Sequence, residues 1–484
     1  MTEETTMRPT ILFIFTFLFA FSCPSHAQPD SLWSRTYGGG DEDWCYSVIQ
    51  TVDGGFALAG TTRSFPAGRN SVILIKTDNE GDSLWSQTFD CGAGDIRCYS
   101  LVQTFDGGYT LAGAVDVFGW RDYHFWMART DENGEILWNR VYGDEMEYGA
   151  FISILQTPDS GFAIAGYMND FMLLRTNADG DSLWSRTYGG ENNDRCYCMT
   201  QTTDGGFALA GFSDSFGLDG NFWLVVTNSD GDSLWSQSYG VRNERQDVCQ
   251  AILQTEDGGF ILAGDTGEEG VEVLVIRTDA DGDSIWSRQF EGEQGRKCKS
   301  IIRVQGGGFT LGGVAYVHGH GWDFWLTRLA ANGDSLWSFT AGTESTEWCY
   351  TAISTADGGF ALAGKIDSLG AGANDFWLVK TGPDPCSAPS GPFIHNPSSF
   401  ILYPAFPNPF NSAATIKYGL PCPGHVTLRI YNPLGQQVGT LFEGYQHPGF
   451  HTATLNGGDL ASGLYFVRLE AGSRDQITNV LLIR

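Results

Sequence analysis

Basic residues are scarce in this chain: 28 Lys and Arg stand against 57 Asp and Glu in 484 residues, a formal charge of -29. Without a basic stripe to neutralise phosphates, nucleic acid and anionic membrane surfaces are poor partners. A cationic ligand, a metal ion or a neutral glycan stays open. So does the plainer reading, in which acid spread over turns keeps a large exported protein soluble. Long apolar runs are lacking as well. The run Ile11–Phe21 covers 11 residues, too few to span a bilayer, and no later segment approaches that length requirement, which excludes a membrane span in the mature chain. Helical periodicity is absent throughout, which excludes helical bundles and α/β folds. No catalytic motif is present either.

What is present is a unit of about fifty residues in seven copies. Its Leu/Ile-Trp core places Trp33, Trp85, Trp138, Trp184, Trp235, Trp286 and Trp337 at steps of 52, 53, 46, 51, 51 and 51 residues. A second marker tracks the first: Asp-Gly-Gly-Phe begins at Asp53, Asp204, Asp257 and Asp357, reads Asp-Gly-Gly-Tyr at Asp106, and degrades to Asp-Ser-Gly-Phe at Asp159 and Gly-Gly-Gly-Phe at Gly306. Such a period marks a supersecondary unit that cannot bury its own apolar faces and stacks on its neighbours.

Within one unit, Cys45–Thr51 and Phe56–Thr61 are β-rich runs joined by the glycine turn, and Gly supplies the positive φ of a tight hairpin. A third run, Val72–Thr77, leads through the turn Asp78–Gly81 to the tryptophan strand Ser83–Thr88. Four antiparallel strands per unit, repeated seven times, predict an all-β chain with a seven-bladed β-propeller over residues 31–381. The first tryptophan strand, Ser31–Tyr37, is an orphan and the last unit lacks one. Pairing the two would close the ring and remove an open sheet edge.

Tryptophan at one position in every unit is scaffold, because a ligand site is a single place and recurrence means packing. The cysteines invite a disulfide reading, since there are 11 in an exported protein. Cys45, Cys98, Cys196, Cys249, Cys298 and Cys349, however, all lie eight residues before the turn marker, with Phe151 in the same slot of the third unit. Packed sheets stand about 10 Å apart, whereas a bridge needs Cα atoms within about 7 Å. These thiols are expected to be reduced, small, buried hydrophobes. Cys386 and Cys422 could pair across a linker.

Candidate ligand residues fall on the rim of irregular loops, where the units differ. Asp43, Asp194, Asp247 and Glu347 each lie two before the recurring Cys, so they would ring the mouth of a central channel and could hold Ca²⁺ or a cationic ligand; the alternative is a solvated rim. His318, His320 and Trp322 form a second group, and Trp120, Arg121, Asp122 and His124 a third. No third metal ligand accompanies His-Gly-His, and indoles on a rim suit a sugar platform. The turn Asp279–Asp283 resembles part of an EF-hand loop, but its Gly comes too early and the terminal Glu is missing, so a β-turn explains it. No cofactor is predicted. Beside a binding protein, two readings stay open: a propeller enzyme, either a hydrolase or lyase using channel carboxylates such as Asp43 and Asp194 or a quinoprotein-like dehydrogenase, and a purely structural surface protein. The dehydrogenase lacks an adjacent cysteine pair.

The ends of the chain give its address. Arg8, the apolar run and Ser25-His26-Ala27 before Gln28 form a cleavable export leader over residues 1–27. Glu3 and Glu4 sit badly in a positive n-region, so Met7 is an alternative start. A lipoprotein signal at Cys23 is a further alternative. Residues 382–397 read as a Pro-rich linker. Residues 398–484 then form a small all-β module, with strands at Ala414–Tyr418, Val426–Tyr431, Phe450–Leu455, Leu464–Leu469 and one ending Val480–Arg484, the spacing of an Ig-like sandwich.

Tyr403-Pro with Phe406-Pro-Asn-Pro-Phe-Asn411, Ile416-Lys-Tyr-Gly-Leu-Pro421, Ile430-Tyr-Asn-Pro-Leu-Gly-Gln-Gln-Val438 and Ser462-Gly-Leu-Tyr-Phe-Val467 carry a resemblance to the C-terminal sorting domain of the type IX secretion system of Gram-negative bacteria. Ala405-Phe406 interrupts the Tyr-Pro-Asn-Pro-Phe form of that family. The resemblance covers about the final 80 residues. It implies recognition by that secretion machinery and passage across the outer membrane, after which the tail is removed or serves in surface attachment. A secreted or outer-membrane-surface location follows. The upstream units resemble loosely defined propeller repeats seen before such tails, for which no common chemistry carries over.

Overall fold

The computed structural model describes residues 28–483 apart from 66–69, 91–93, 117–122, 144–148, 217–219, 241–245, 267–271, 291–294, 305–306, 368, 371, 387–399, 404, 406, 421–423, 447–448, 459 and 472–473. The leader, most of the linker and Trp120, Arg121 and Asp122 therefore lie outside the described residues.

The seven units fold as seven four-stranded antiparallel sheets in a propeller-like, all-β arrangement. In the first, Asp43–Gln50 is innermost, followed by Phe56–Thr62, Ser71–Thr77 and Ser83–Phe89. Both middle strands are buried along their whole length. The tryptophan strand alternates exposed and half-buried residues, as an edge strand with one covered face does. The orphan strand Ser31–Tyr37 pairs antiparallel with Asn374–Thr381, so the last sheet takes its outer strand from the start of the chain.

Neighbouring sheets interlock through one repeated contact. The tryptophan of each outer strand packs edge-on or stacked against the aromatic that follows the glycine turn of the next sheet: Trp85 on Tyr109, Trp138 on Phe162, Trp184 on Phe207, Trp235 on Phe260, Trp286 on Phe309 and Trp337 on Phe360, with ring centroids 5.9 to 6.4 Å apart. Trp33 makes the same contact with Phe56 at 5.9 Å, joining the last sheet to the first. The inner strands touch one another in the same cyclic order, and Asp43–Gln50 lies against Glu347–Ser354. Ala356 N–H donates to Gln50 Oε1 at 2.8 Å, as Val52 donates to Gln103 and Phe105 to Gln156 between consecutive sheets.

The recurring Cys slot is buried in every sheet, and those six thiols, with Cys198, are free. Burial pushes Cys98 and Cys349 up to about 12, so they are un-ionised packing groups. Cys386 is disulfide-bonded. Its partner lies outside the described residues, as Cys422 does.

Six of the seven glycine turns carry an aspartate that ties them; in the first, Thr51 Oγ1 (2.5 Å) and Gly55 N–H (3.1 Å) both donate to Asp53 Oδ1. A cation from the third strand pairs with the same side chain: Lys76 with Asp53, Arg129 with Asp106, Arg175 with Asp159, Arg277 with Asp257 and Lys380 with Asp357. In the sixth unit, where Gly306 replaces the aspartate, Arg328 pairs instead with Asp384, at 2.9 Å and almost wholly buried. Asp384 also accepts from Trp337 Nε1 at 2.9 Å. The chain leaving the seventh sheet is thus pinned to the sixth.

Behind it, a three-stranded sheet (Ile401–Leu402, Ala413–Leu420, Gly449–Asn456) and a four-stranded sheet (Gln437–Gln446, Gly424–Tyr431, Gly463–Ala471, Arg474–Leu482) share one apolar core built on Ile416, Tyr418, Val426, Leu428, Val467 and Leu469. Gln437–Gln446 is a strand the sequence pattern does not announce, since its alternation is broken by Gly439, Glu443 and Gly444.

Two outcomes are expected in chemical denaturation. Asp384→Ala strands the buried Arg328 and lowers stability by about 3–5 kcal/mol. Ser160 holds φ of 68°, the only positive value for a non-glycine among the described residues, at the place Gly54 occupies in the first unit. Ser160→Gly relieves that strain and raises stability by about 1 kcal/mol.

Candidate functional site

The four carboxylates read from the sequence do not ring a channel mouth. Asp43, Asp194, Asp247 and Glu347 are all buried at the joint with the preceding sheet. Gly39 N–H and Ser64 Oγ donate to Asp43 Oδ2 at 2.8 Å each, and Gly190 N–H donates to Asp194 at 2.9 Å. Thr266 Oγ1 donates to Asp247, and Thr343 Oγ1 to Glu347 at 2.5 Å. The reason is strand alternation: a residue two before a buried cysteine shares its face, and that face packs on the neighbouring sheet. One extra residue follows each Cys slot. Every inner strand shifts register there, between Cys45 and Ser47 in the first sheet. The bulged Tyr46 meets Tyr99 at 5.3 Å and Tyr350 at 4.7 Å, so three successive sheets join at their inner edges.

His124 is buried in its strand, opposite Val115. Trp120 and Asp122, its companions in sequence, lie outside the described residues, so this group is not assembled as a site here. Among the described residues, no three His, Cys, Asp or Glu side chains stand together as a metal site.

The group of His318, His320 and Trp322 does assemble. In the sixth unit the loop between second and third strands is replaced by a tight hairpin, with Tyr316 opposite Trp322 and Val317 opposite Gly321. Its turn, His318-Gly319-His320, needs positive φ at Gly319 (88°) and Gly321 (98°), and His320 N–H closes it on Val317 C=O at 3.0 Å. That hairpin stands Trp322 against Trp348, which opens the inner strand of the next sheet. The two indoles are stacked, 5.6 Å between centroids and 28° between planes. Tyr316 meets Trp322 edge-on at 5.7 Å, and Lys297 Nζ sits 6.0 and 5.8 Å from the two indole centroids. His318 is exposed at the tip. His320 Nδ1 lies 3.7 Å from Asp323 Oδ2, and Asp323 faces Glu347. Burial raises both carboxyls, Asp323 against the opposing pull of His320.

The result is a half-buried aromatic face, flanked by an ammonium and an imidazole, on rigid strands rather than on a loop. Trp322 and His320 were visible in sequence. Trp348 and Lys297 were not singled out as ligand residues, although Trp348 precedes a recurring Cys, as Trp44 does in the first unit.

Residues 404–484 match the family described as "Secretion system C-terminal sorting domain". That tail marks the chain as exported, to the cell surface or the medium, by way of the secretion machinery. No curated protein matches the chain. Among solved structures it is similar to PorZ, a bacterial surface component of the type-IX secretion system of Porphyromonas gingivalis, at 12% identity and a TM-score of 0.44, covering 93% of this chain. The chain spans 60% of PorZ's length. It is also similar to a protein of unknown function from Dyadobacter fermentans, at 13% identity and a TM-score of 0.44 over 73% of this chain and 98% of that one. A protein of unknown function from Bacteroides caccae shares 14% identity at a TM-score of 0.36, over 58% and 93% of the two chains. No helix among the described residues is long and apolar enough to cross a membrane.

The turn aspartates predict an acid limit. Asp53, Asp106, Asp159, Asp204, Asp257 and Asp357 are all held below the ordinary carboxylate value by hydrogen bonds within the turn and, in five of the six, by the paired cation. Folding therefore resists their protonation. The stability they contribute is complete above their ordinary value of 3.8 and is lost as pH falls through their depressed ones. Thermal unfolding scanned from pH 7 to pH 2 should show a plateau and then a fall beginning near pH 4. Asp53→Asn and Asp357→Asn should each shrink that fall.

Proposed function

We propose that the chain is an exported seven-bladed β-propeller, closed by its first strand and followed by an Ig-like sorting module, which binds carbohydrate on the Trp322–Trp348 face. The observation that carries the binding reading is the stacked indole pair, half-exposed on a rim and fixed by a hairpin. A flat apolar face of this kind stacks on a pyranose ring, while Lys297, His318 and His320 stand where hydroxyls would be read. Seven sheets joined by one repeated contact, with the last strand position filled from the N-terminus, support the closed propeller. Two packed antiparallel sheets on one core support the Ig-like module. Residues 1–27 act as the leader for the inner membrane and 398–484 as the address for the outer one, with the tail either removed or kept for attachment.

Binding is tested by glycan array followed by calorimetry on the mature chain. Trp322→Ala and Trp348→Ala should each weaken the best glycan about tenfold or more while leaving the unfolding transition in place. Full-strength binding by both variants would remove this reading. Export is tested separately. Deleting residues 404–484 should trap the propeller inside the cell envelope, as read by fractionation and protease accessibility.

A further inference from the structure

Tyrosines on outer and inner strands are used differently in this protein. On outer strands, Tyr37, Tyr142, Tyr188 and Tyr239 each donate the hydroxyl to a glycine carbonyl in the second hairpin turn of the next sheet, at 2.5 to 2.7 Å. On inner strands, Tyr46, Tyr99, Tyr197 and Tyr350 occupy the bulge after the Cys slot, and all four are half-buried. Among the described residues, the Tyr46, Tyr197 and Tyr350 hydroxyls make no hydrogen bond to the protein. Burial pushes Tyr350 up to about 12 and raises Tyr46 as well, so both are protonated donors at neutral pH.

These rings form a row across successive sheets. Tyr350 meets Tyr46 at 4.7 Å, and Tyr46 meets Tyr99 at 5.3 Å. The third inner strand has Ile152 at the bulge, but Tyr167, paired opposite Ala150, supplies a ring from the second strand. It lies 5.7 Å from Tyr197 and within electrostatic reach of Tyr99. Two guanidiniums stand on this row, each one residue before a Cys slot. Arg97 lies against the Tyr99 hydroxyl and 4.9 Å from the Tyr123 centroid, and Arg195 lies 5.7 Å from the Tyr167 centroid. Neither forms an ion pair among the described residues, although the chain holds 57 acids to 28 bases. Arg97 Nε is buried and has no acceptor. The acids felt at the edge of the group do not pair with it: Asp95 accepts from Asn70 at 2.8 Å, and Asp367 pairs with Lys365 at 3.6 Å.

A half-buried cation among neutral rings and hydroxyls, with one N–H unmet, is costly to keep unless an anion from outside completes it. We propose that the row from Tyr350 to Tyr197 binds an acidic sugar of the uronate class, its carboxylate held by Arg97 and its ring and hydroxyls met by the tyrosines, with Arg195 supplying a second positive charge. A guanidinium fork matches a planar carboxylate, and tyrosine offers both a flat apolar face and a donor, as a pyranose requires. The formal charge of -29 repels long polyanions, so the fit is a short acidic oligosaccharide or a chain end. This site does not rest on the Trp322–Trp348 reading: its residues come from the seventh sheet and the first four, and include neither indole.

The test is calorimetric titration of the mature full-length chain with oligogalacturonate and oligoglucuronate, with their neutral methyl esters, and with inorganic sulfate. At least one acid should bind about tenfold or more tighter than its ester, the worth of a charge-assisted hydrogen bond, and should weaken as salt is raised. Arg97→Gln and Arg195→Gln should each lower the acid's affinity about tenfold and leave the ester's unchanged. Arg195 is exposed, so its variant carries the test if Arg97→Gln fails to fold. Tyr46→Phe keeps the ring and removes the hydroxyl, and should weaken acid and ester alike. Trp322→Ala should leave uronate binding in place, which separates this site from the indole face. Equal affinity for acid and ester, no binding of either acid, or full affinity in both arginine variants would overturn the proposal. So would sulfate binding as tightly as the sugar acid, since the site would then be a bare anion hole.

Discussion

A four-stranded sheet whose two middle strands are apolar on both faces cannot be stable alone, and everything else in this protein follows from how that burden is shared. Each sheet covers one neighbour and is covered by the other, and the indole of its outer strand closes the gap over the next glycine turn. The arrangement has no free end only if the last sheet covers the first. Trp33 on Phe56 does that, and it can do so because the strand the last sheet lacks, Ser31–Tyr37, precedes the first sheet. The contact between the last sheet and the first therefore rests on one strand of seven residues, and the joint it makes is the one where Asp43 and Asp375 face each other.

Once the sheets are locked, variation is confined to the rim and to the sixth unit. That unit departs from the repeat at several points at once. Gly306 stands in for the turn aspartate, and Gly312 for the usual Ala, where a Cβ would press on the Ala352 methyl. A three-residue turn replaces the loop between its second and third strands, and cationic residues, Arg296, Lys297 and Lys299, flank its Cys. Its outer face is covered by the departing chain through Asp384. The aromatic platform, the His320–Asp323–Glu347 chain and the anchored exit toward the sorting module all gather there. A repeat protein shows its specific chemistry where the repeat fails.

Much of the architecture was legible because it depends on local rules. Glycine turns, alternation and period set the strands, and the orphan first strand followed from counting. The tail was legible through motif resemblance, although its strand Gln437–Gln446 was hidden by glycines and charge. The candidate site was only partly legible. Trp322 and His320 lie in an irregular stretch, which is a sequence signal; the stacking of Trp322 on Trp348, 26 positions away, depends on how two sheets meet. The acids Asp43, Asp194, Asp247 and Glu347 were placed on the wrong side of the inner strand. Cys45 and its counterparts contained the correction, since a residue two away from a buried one shares its face.

By itself the sequence determined the strands, their number per unit, the reduced state of the recurring cysteines and the export address, because each rests on spacing along one chain or on a contiguous motif. Only the tertiary structure decided which face of each inner strand meets a neighbour, which acids are paired across a joint, and which two indoles stand together. Those are relations between sheets, set by the bulge after each Cys slot and by the geometry of closure, and no spacing within a single unit encodes them.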